Sequence, residues 1–241
     1  MNGILTAFQG TPSGDGILRI EFPEPGCRVR RVVSRSNTRP TGRFPSFRMN
    51  RALCWDSPAE LNWFRLLECN AAVLEFVEQP CTIYYRLDGA DHRHIPDSLV
   101  RTANSRVLWE VKTAADASKP DVASRTRLMV EQLPHHGYQY SVALAEDLRR
   151  EPRLSNARLL LRHGRAPLSF EQKEYCRRLL EADVALQWSD VVEGLHTPFS
   201  LKLACRLVLE GTLHLNLDQP LDGQVLQLAT QLDCQLGNCN G

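Results

Sequence analysis

The sequence predicts an α/β fold, a mixed sheet flanked by helices, followed by a smaller and mostly helical C-terminal domain. Three observations predict it. A capped amphipathic helix begins at Ser57. Short alternating or β-branched segments then run from Val73 to Thr113, punctuated by Gln79-Pro80, Asp88-Gly89 and the turn Thr102 to Ser105. Beyond Gly164-Arg165-Ala166-Pro167 the composition shifts and three short helical patterns follow.

The elements read in order as follows. Residues 1–26 are rich in Gly, Pro and Ser, weakly periodic, and read as loose. From Gly26 to Cys54 there is no acidic residue, while Arg28, Arg30, Arg31, Arg35, Arg39, Arg43, Arg48 and Arg51 accumulate. Residues 1–50 therefore read as a partly disordered basic arm. Guanidinium groups suit a phosphate backbone, because pairing releases counterions. The alternatives are a solvated arm or one that packs on a partner protein. Ser57 caps the first helix, with Pro58 at its first position and Leu61, Phe64 and Leu67 as its apolar stripe. Strands are expected at Val73–Glu78, Thr82–Leu87, His92–Arg101 and Arg106–Thr113, the last three as an antiparallel meander turning at Asp88-Gly89. A helix from Pro120 to His136 ends at Gly137, and Tyr138–Leu144 is a further strand. Ser169–Ala182, Ser189–Gly194 and Pro198–Glu210 read as helices, and Leu213–Leu217 as a short strand. Three helices and a strand are the outline of a winged helix. The expected domains are thus 1–50, 51–165 and 166–241.

Composition narrows the function classes. The 241 residues are 43% hydrophobic and 24% charged, as in a soluble globular protein, and no apolar run nears the ~20 residues a membrane helix needs. The N-terminus carries no secretion-signal pattern, so a cytoplasmic setting is expected. The eight cysteines lie at 27, 54, 69, 81, 176, 205, 234 and 239, with no CxxC pair, and read as buried reduced thiols. The net charge of +1 says nothing about DNA; its distribution does.

The chemistry concentrates in Pro96-Asp97 and Glu110-Val111-Lys112. Residues two apart on a strand share a face, so Glu110 and Lys112 project together while Val111 points into the core. Asp97, expected at the centre of the preceding strand, comes beside Glu110. Two carboxylates on adjacent strands make a hard-oxygen site suited to Mg2+. A lysine there orients water and offsets charge developing on a phosphate. Glu60, on the first turn of the preceding helix, approaches from one side. Glu68, Glu75 and Glu78 compete for that role; Glu60 fits the Ser-x-x-Glu pattern. A surface hairpin with a Glu–Lys pair accounts for the same residues without chemistry. His94 shares no face with Asp97 by strand parity and reads as a surface residue. His135-His136 fits a helix end, where positive charge is favoured. Lys119 and Arg125 on the second helix, and Lys202 and Arg206 on the candidate recognition helix, are candidate DNA contacts.

The segment from about Arg51 to Arg165 resembles the PD-(D/E)xK nuclease superfamily. Within it, the segment is similar to the TnsA-type endonuclease subunit of heteromeric transposases. The resemblance rests on Ser57-Pro58-Ala59-Glu60, Leu66-Leu67-Glu68, Val77-Glu78-Gln79-Pro80, the run from His94 to Val100, Trp109-Glu110-Val111-Lys112, and the run from Pro152 to Ala157. Nuclease chemistry does not require the Gln79-Pro80 step or the PRLSNA run, so these narrow the superfamily to the family. The resemblance implies a restriction-endonuclease-like fold with a winged-helix-like C-terminal domain. It implies cleavage of the 5′ strands at transposon ends, with catalytic Glu60, Asp97, Glu110 and Lys112. The implied metal set is Glu60, Asp97, Glu110 and Val111, holding Mg2+ with Mn2+ as a substitute. The implied partners are DNA, a TnsB-type transposase subunit and a TnsC-type ATPase regulator, in a bacterial cytoplasm and at the nucleoid when active. Some members of the family have glutamine where this chain has Glu110, and the family usually has phenylalanine where it has Ser98. Two other readings stand beside this one: a repair or restriction nuclease of the same superfamily, and a non-catalytic DNA-binding assembly module.

Overall fold

A computed structural model of the chain describes residues 14–23, 40–181, 186–195 and 200–228. The architecture is mixed α/β, with several sheets and helices. It divides into two compact units. The first contains the described residues up to Phe64 together with Val73–Leu148; the second contains Arg65–Ala72 and the described residues from Arg149 onward. No helix among the described residues is long and apolar enough to cross a membrane.

In the first unit, β1 (Gly16–Glu21), β5 (Thr82–Leu87) and β6 (Ala90–His94) form one antiparallel sheet in the order β1-β5-β6. Asp88 and Gly89 join β5 to β6 with φ of 52° and 74°, the positive values a tight two-residue hairpin needs. A second sheet runs β4 (Glu75–Glu78), β7 (Ser98–Arg101), β8 (Arg106–Lys112), β9 (Gln139–Leu144). Its first three strands are antiparallel and β9 is parallel to β8. A hairpin of β2 (Gly42–Ser46) and β3 (Arg51–Trp55) precedes helix α1 (Pro58–Cys69). After β8 come the short α2 (Ala114–Ala117) and α3 (Pro120–Gln132), whose last turn tightens to a 3-10 turn at Leu133–His136 before Gly137 at φ 79°. Leu128, Met129 and Leu133 from this segment bury against Ile17, Ile83, Leu108 and Tyr140. A second cluster stacks Phe44, Phe64 and Phe76, with adjacent centroids 6.3 and 5.9 Å apart.

Four expectations are corrected here. The N-terminal stretch is not loose throughout, because β1 pairs with β5 and buries Ile17 and Ile20. The segment 92–101 is not one strand: it breaks at Ile95-Pro96-Asp97, because Pro96 has no N–H for a ladder. The expected meander therefore splits, with β5 and β6 in one sheet and β7 and β8 in the other. Asp97 lies in the break rather than at a strand centre.

The second unit is built on α4 (Arg153–His163) and α7 (Leu201–Leu209). Between them lie α5 (Phe170–Glu181), β10 (Leu186–Gln187) and α6 (Trp188–Glu193). β11 (Leu213–His214) and β12 (Val225–Leu228) follow, and the small sheet has the order β10-β12-β11. α5, α6 and α7 lie where helices are expected, whereas α4, β10 and β12 lie where no element is expected. Ser200 caps α7 by accepting from the Leu203 N–H at 3.4 Å. Asn156 on α4 donates from Nδ2 to the Leu217 and Gln219 carbonyls at 2.9 and 2.8 Å, fixing the loop after β11. The five described cysteines, 54, 69, 81, 176 and 205, are in no disulfide and are buried.

Gly164 ends α4 where it meets α7. A Cβ there would lie 2.8 and 2.9 Å from the Cys205 and Arg206 backbone, atoms that cannot turn aside. Gly164→Ala is expected to destabilise the protein by about 1–3 kcal/mol, as overpacking does. Chemical denaturation checks this, and an unchanged midpoint would contradict the close approach.

Candidate functional site

The site forms where the chain leaves β6 and enters β7. The β7–β8 ladder runs from Arg101↔Arg106 to Ser98↔Trp109. Continued by two residues, this register puts Pro96 opposite Val111. Pro96 has no N–H to give the Val111 carbonyl. The Val111 N–H is taken by the Asp97 side chain instead, with Oδ2 accepting at 2.7 Å. Asp97 thereby replaces a strand partner with a carboxylate, and its Oδ1 has no hydrogen bond among the described residues. Its carbonyl accepts from the Gln79 N–H at 3.0 Å.

Glu110 and Lys112 leave β8 on one face, and Lys112 Nζ lies 2.6 Å from Glu110 Oε1. Glu110 is buried, at 4% exposure. Arg125 of α3 stands 3.7 Å from Oε1, and His94 Nε2 stands 3.3 Å from Oε2. His94 Nε2 also lies 3.0 Å from the Tyr140 hydroxyl. Oε2 has no well-formed hydrogen bond, although it is buried. Two expectations change. His94 is not a surface residue: at 7% exposure it backs Glu110. Arg125 is directed at the site rather than at solvent.

Glu60 holds a capping box. Its Oε2 accepts from the Asp56 N–H at 2.8 Å and its Oε1 from Ser57 Oγ at 2.9 Å, while Ser57 Oγ accepts from the Glu60 N–H at 3.2 Å. The competing glutamates are structural in two cases. Glu78 accepts both guanidinium arms of Arg51 at 2.9 and 2.6 Å, and Glu75 pairs with Arg101 at 2.9 Å. Trp63, three residues after Glu60, donates from Nε1 to Ser98 Oγ at 2.9 Å and packs on Trp109 at 4.8 Å. Ser98, where the resembled family has phenylalanine, thus docks α1 on the strand that follows Asp97.

The charges are strongly coupled. Burial, reinforced by the negative charges of Glu110 and Glu60, lifts the Asp97 carboxyl well above the usual carboxylate range; the Val111 N–H and Lys112 oppose this. Burial also raises Glu60, against the pull of its cap hydrogen bonds. Burial alone would lower Lys112, but Glu110 and Asp97 outweigh it and hold the ammonium above its ordinary value. Burial, with Arg125 and Lys112 adding like charge, pushes His94 down to about 3, so the ring facing Glu110 is neutral at pH 7.

No three His, Cys, Asp or Glu side chains among the described residues are disposed together as a metal group. In this arrangement Glu60 is held by its cap, and Glu110 Oε1 by Lys112. Carboxylate oxygens are the donor type a hard cation takes. Asp97 Oδ1 has no hydrogen bond among the described residues, Glu110 Oε2 is buried without one, and burial with the nearby negative charges raises Asp97.

The expected DNA contacts fare unevenly. Arg28, Arg30, Arg31, Arg35 and Arg39 lie outside the described residues. Arg43 is exposed on β2 and Lys202 is exposed on α7. Arg48 instead donates to the Val73 carbonyl, and Arg51 pairs with Glu78, so both hold the first unit together. Lys119 is bound to Asp116 at 2.6 Å. Arg206 is turned in, donating to Glu210 at 2.8 Å with 13% side-chain exposure, and is no free DNA contact. Comparison with protein-family models and with curated protein sequences finds no match.

A carboxyl raised in the folded state contributes stability below its unfolded pKa and loses it as pH rises through the folded value. At neutral pH the Asp97 carboxyl therefore weakens the fold. Asp97→Asn keeps an oxygen for the Val111 N–H and removes the charge. In chelator at pH 7 its melting temperature is expected to rise by about 4 °C per kcal/mol relieved, with the gain shrinking toward acid. His94 has the opposite sign, its stability falling as pH drops from 6.5 toward 3, but this is common to both proteins and cancels in the difference. An equal or lower melting temperature for the variant would show that the carboxylate is not under strain.

Proposed function

We propose that the chain is a metal-dependent DNA endonuclease of the PD-(D/E)xK type. Within that group we propose a TnsA-type subunit that cuts the 5′ strands at transposon ends. One observation carries the reading: Asp97, Glu110 and Lys112 meet at a break between two strands, and the charge of Glu60 is felt at Asp97. The mixed sheet β4-β7-β8-β9, with α1 before it and α3 within it in sequence, supports a restriction-endonuclease-like fold. The order α5, β10, α6, α7, β11, β12, with one small sheet, supports a winged-helix-like second unit. The proposed partners are DNA, a TnsB-type transposase subunit and a TnsC-type ATPase.

Asp97, Glu110 and the Val111 carbonyl are the groups that would hold Mg2+ or Mn2+, with Glu60 joining on release from its cap. When bound, the ion supplies Lewis acidity and a water of lowered pKa. The chain's own residues do the rest. The Val111 N–H fixes the Asp97 carboxylate at one oxygen and leaves the other open. Lys112, held protonated by its neighbours, acts as a cation toward phosphate charge and not as a base. Glu110 keeps that ammonium on the reacting face, while His94 and Arg125 keep Glu110 in place.

The test uses DNA bearing the transposon ends, the transposase and ATPase partners, and Mg2+. Lys112→Ala is expected to lower 5′-strand cleavage by at least about 100-fold, the scale of losing a group that stabilises transition-state charge. Mg2+ should raise the melting temperature of the wild type and not that of Asp97→Asn. Normal 5′ cleavage by Lys112→Ala would falsify the assignment. Cleavage of plain DNA without partners would move it to a repair or restriction nuclease. Absence of both cleavage and the Mg2+ shift would leave a DNA-binding assembly module.

A further inference from the structure

Strand β11 is an edge of the small sheet β10-β12-β11. Its register with β12 decides where its backbone points. The Trp188 N–H donates to the Gln224 carbonyl at 2.9 Å and continues the β10–β12 ladder, so the backbone groups of Gln224, Leu226 and Leu228 face β10. Those of Val225 and Gln227 face β11, and Gln227 is the residue that exchanges bonds with His214. Alternation then turns the N–H and C=O of Leu213, Leu215 and Leu217 away from β12. The side-chain contacts agree. Gln224 occupies the β12 side at Asn216, accepting from its N–H and donating to its carbonyl, both at 2.9 Å. Asn156 of α4 takes the Leu217 carbonyl on the other side, at 2.9 Å.

The main-chain groups of Leu213 and Leu215 form no hydrogen bond among the described residues, although both side chains are buried. The two residues line a groove of about 290 Å3, together with Leu66, Cys69 and Ala71 at the end of α1 and Val208 of α7. Arg153 and Asp218 line it too. They stand 3.8 Å apart, too far for a hydrogen bond, and the Arg153 guanidinium has none among the described residues. Donor and acceptor pairs that recur at every second residue match the main chain of an extended strand. The apolar walls suit that strand's alternate side chains, and Arg153 suits a carboxylate at its end.

We infer that this groove takes an extended segment of a partner protein, added to the sheet beside β11, with an acidic residue where the segment reaches Arg153. The inference concerns the second unit and does not depend on nuclease activity. The full-length chain is titrated with a labelled peptide of alternating valine and threonine that has glutamate at both ends. Binding is expected, with slowed hydrogen exchange at the Leu213 and Leu215 amides. Two further peptides replace alternate backbone amides by esters, which removes N–H donors without adding bulk. One set of alternate positions should weaken binding by about tenfold or more, the scale of one or two backbone hydrogen bonds, and the other set should leave it nearly unchanged. Arg153→Ala, at an exposed position, should weaken the glutamate-ended peptide by about threefold and spare a lysine-ended one. Failure of the first peptide to bind at millimolar concentration would overturn the inference. So would equal loss, or no loss, from the two ester peptides, which would leave apolar contact without strand addition. Equal effects of Arg153→Ala on both peptide ends would overturn the acidic partner. Slowed exchange at the same amides as the chain itself is concentrated, with no peptide present, would overturn it in favour of a second copy.

Discussion

The hydrogen bond from the Val111 N–H to Asp97 Oδ2 is the constraint on which the site depends. A strand that ends beside a longer neighbour leaves backbone donors that need partners. Here the chain opposite Val111 is passing from one sheet to the other, out of the ladder that ends at Ser98. A carboxylate takes over the ladder at that step. The bond supports the sheet edge and also fixes one oxygen of Asp97 while leaving the other unbonded. The groups around it, Gln79 at the Asp97 carbonyl and Ser98 under Trp63, keep the same short segment in place from both ends.

Three carboxylates so close together oppose folding, and the structure offsets them unequally. Glu110 has Lys112 and Arg125 at one oxygen and the neutral His94 at the other. Glu60 has two donors of its own helix start. Asp97 has one backbone N–H; its burial, with the charges of the other two adding to it, raises its pKa well above the usual carboxylate range. Strain of this kind is common at functional sites, where charge is held in readiness for a ligand. Lys112 is part of the same balance: the pull that keeps it protonated also holds it against Glu110, so a cation at that carboxylate would loosen the ammonium.

Much of this was legible in the sequence, for identifiable reasons. α1 and its cap follow from Ser57, Pro58 and Glu60; the β5–β6 hairpin follows from Asp88-Gly89; and the shared face of Glu110 and Lys112 follows from period two. The chain's local signals could not say which sheet each strand joins. Parity counted through Pro96 placed His94 outside and Asp97 mid-strand, whereas the break resets the alternation. β1 was missed because six residues of GILRIE sit among glycines and prolines and gain their order from β5, some sixty residues away. β10 and β12 are too short to show a period. The run from Pro152 to His163 carries its helix on a stripe of Leu154, Ala157, Leu160 and Leu161 that is buried in the second unit. Helical spacing at Lys202 and Arg206 suggested a recognition helix, but Glu210, four residues on, claims Arg206.

The resemblance features that chemistry does not need have a physical role at the loosest part of the site. Glu60 is both a cap and the third carboxylate, and as a cap it has neither oxygen open. Drawing it to a cation means opening the capping box, a cost on the order of 1 kcal/mol. Under the proposed function, a divalent ion beside two other carboxylates in a partly buried site would attract it by more than that. The helix start must stay in position while the side chain turns. Gln79 provides this. Its backbone sits at φ 43°, an unusual conformation outside glycine; its N–H donates to the Asp97 carbonyl and its Nε2 to Asp56 Oδ2 at 3.1 Å. Pro80 after it restricts the same backbone. One residue thus ties the segment before Glu60 to the segment holding Asp97, so the third carboxylate can turn without separating the other parts of the site.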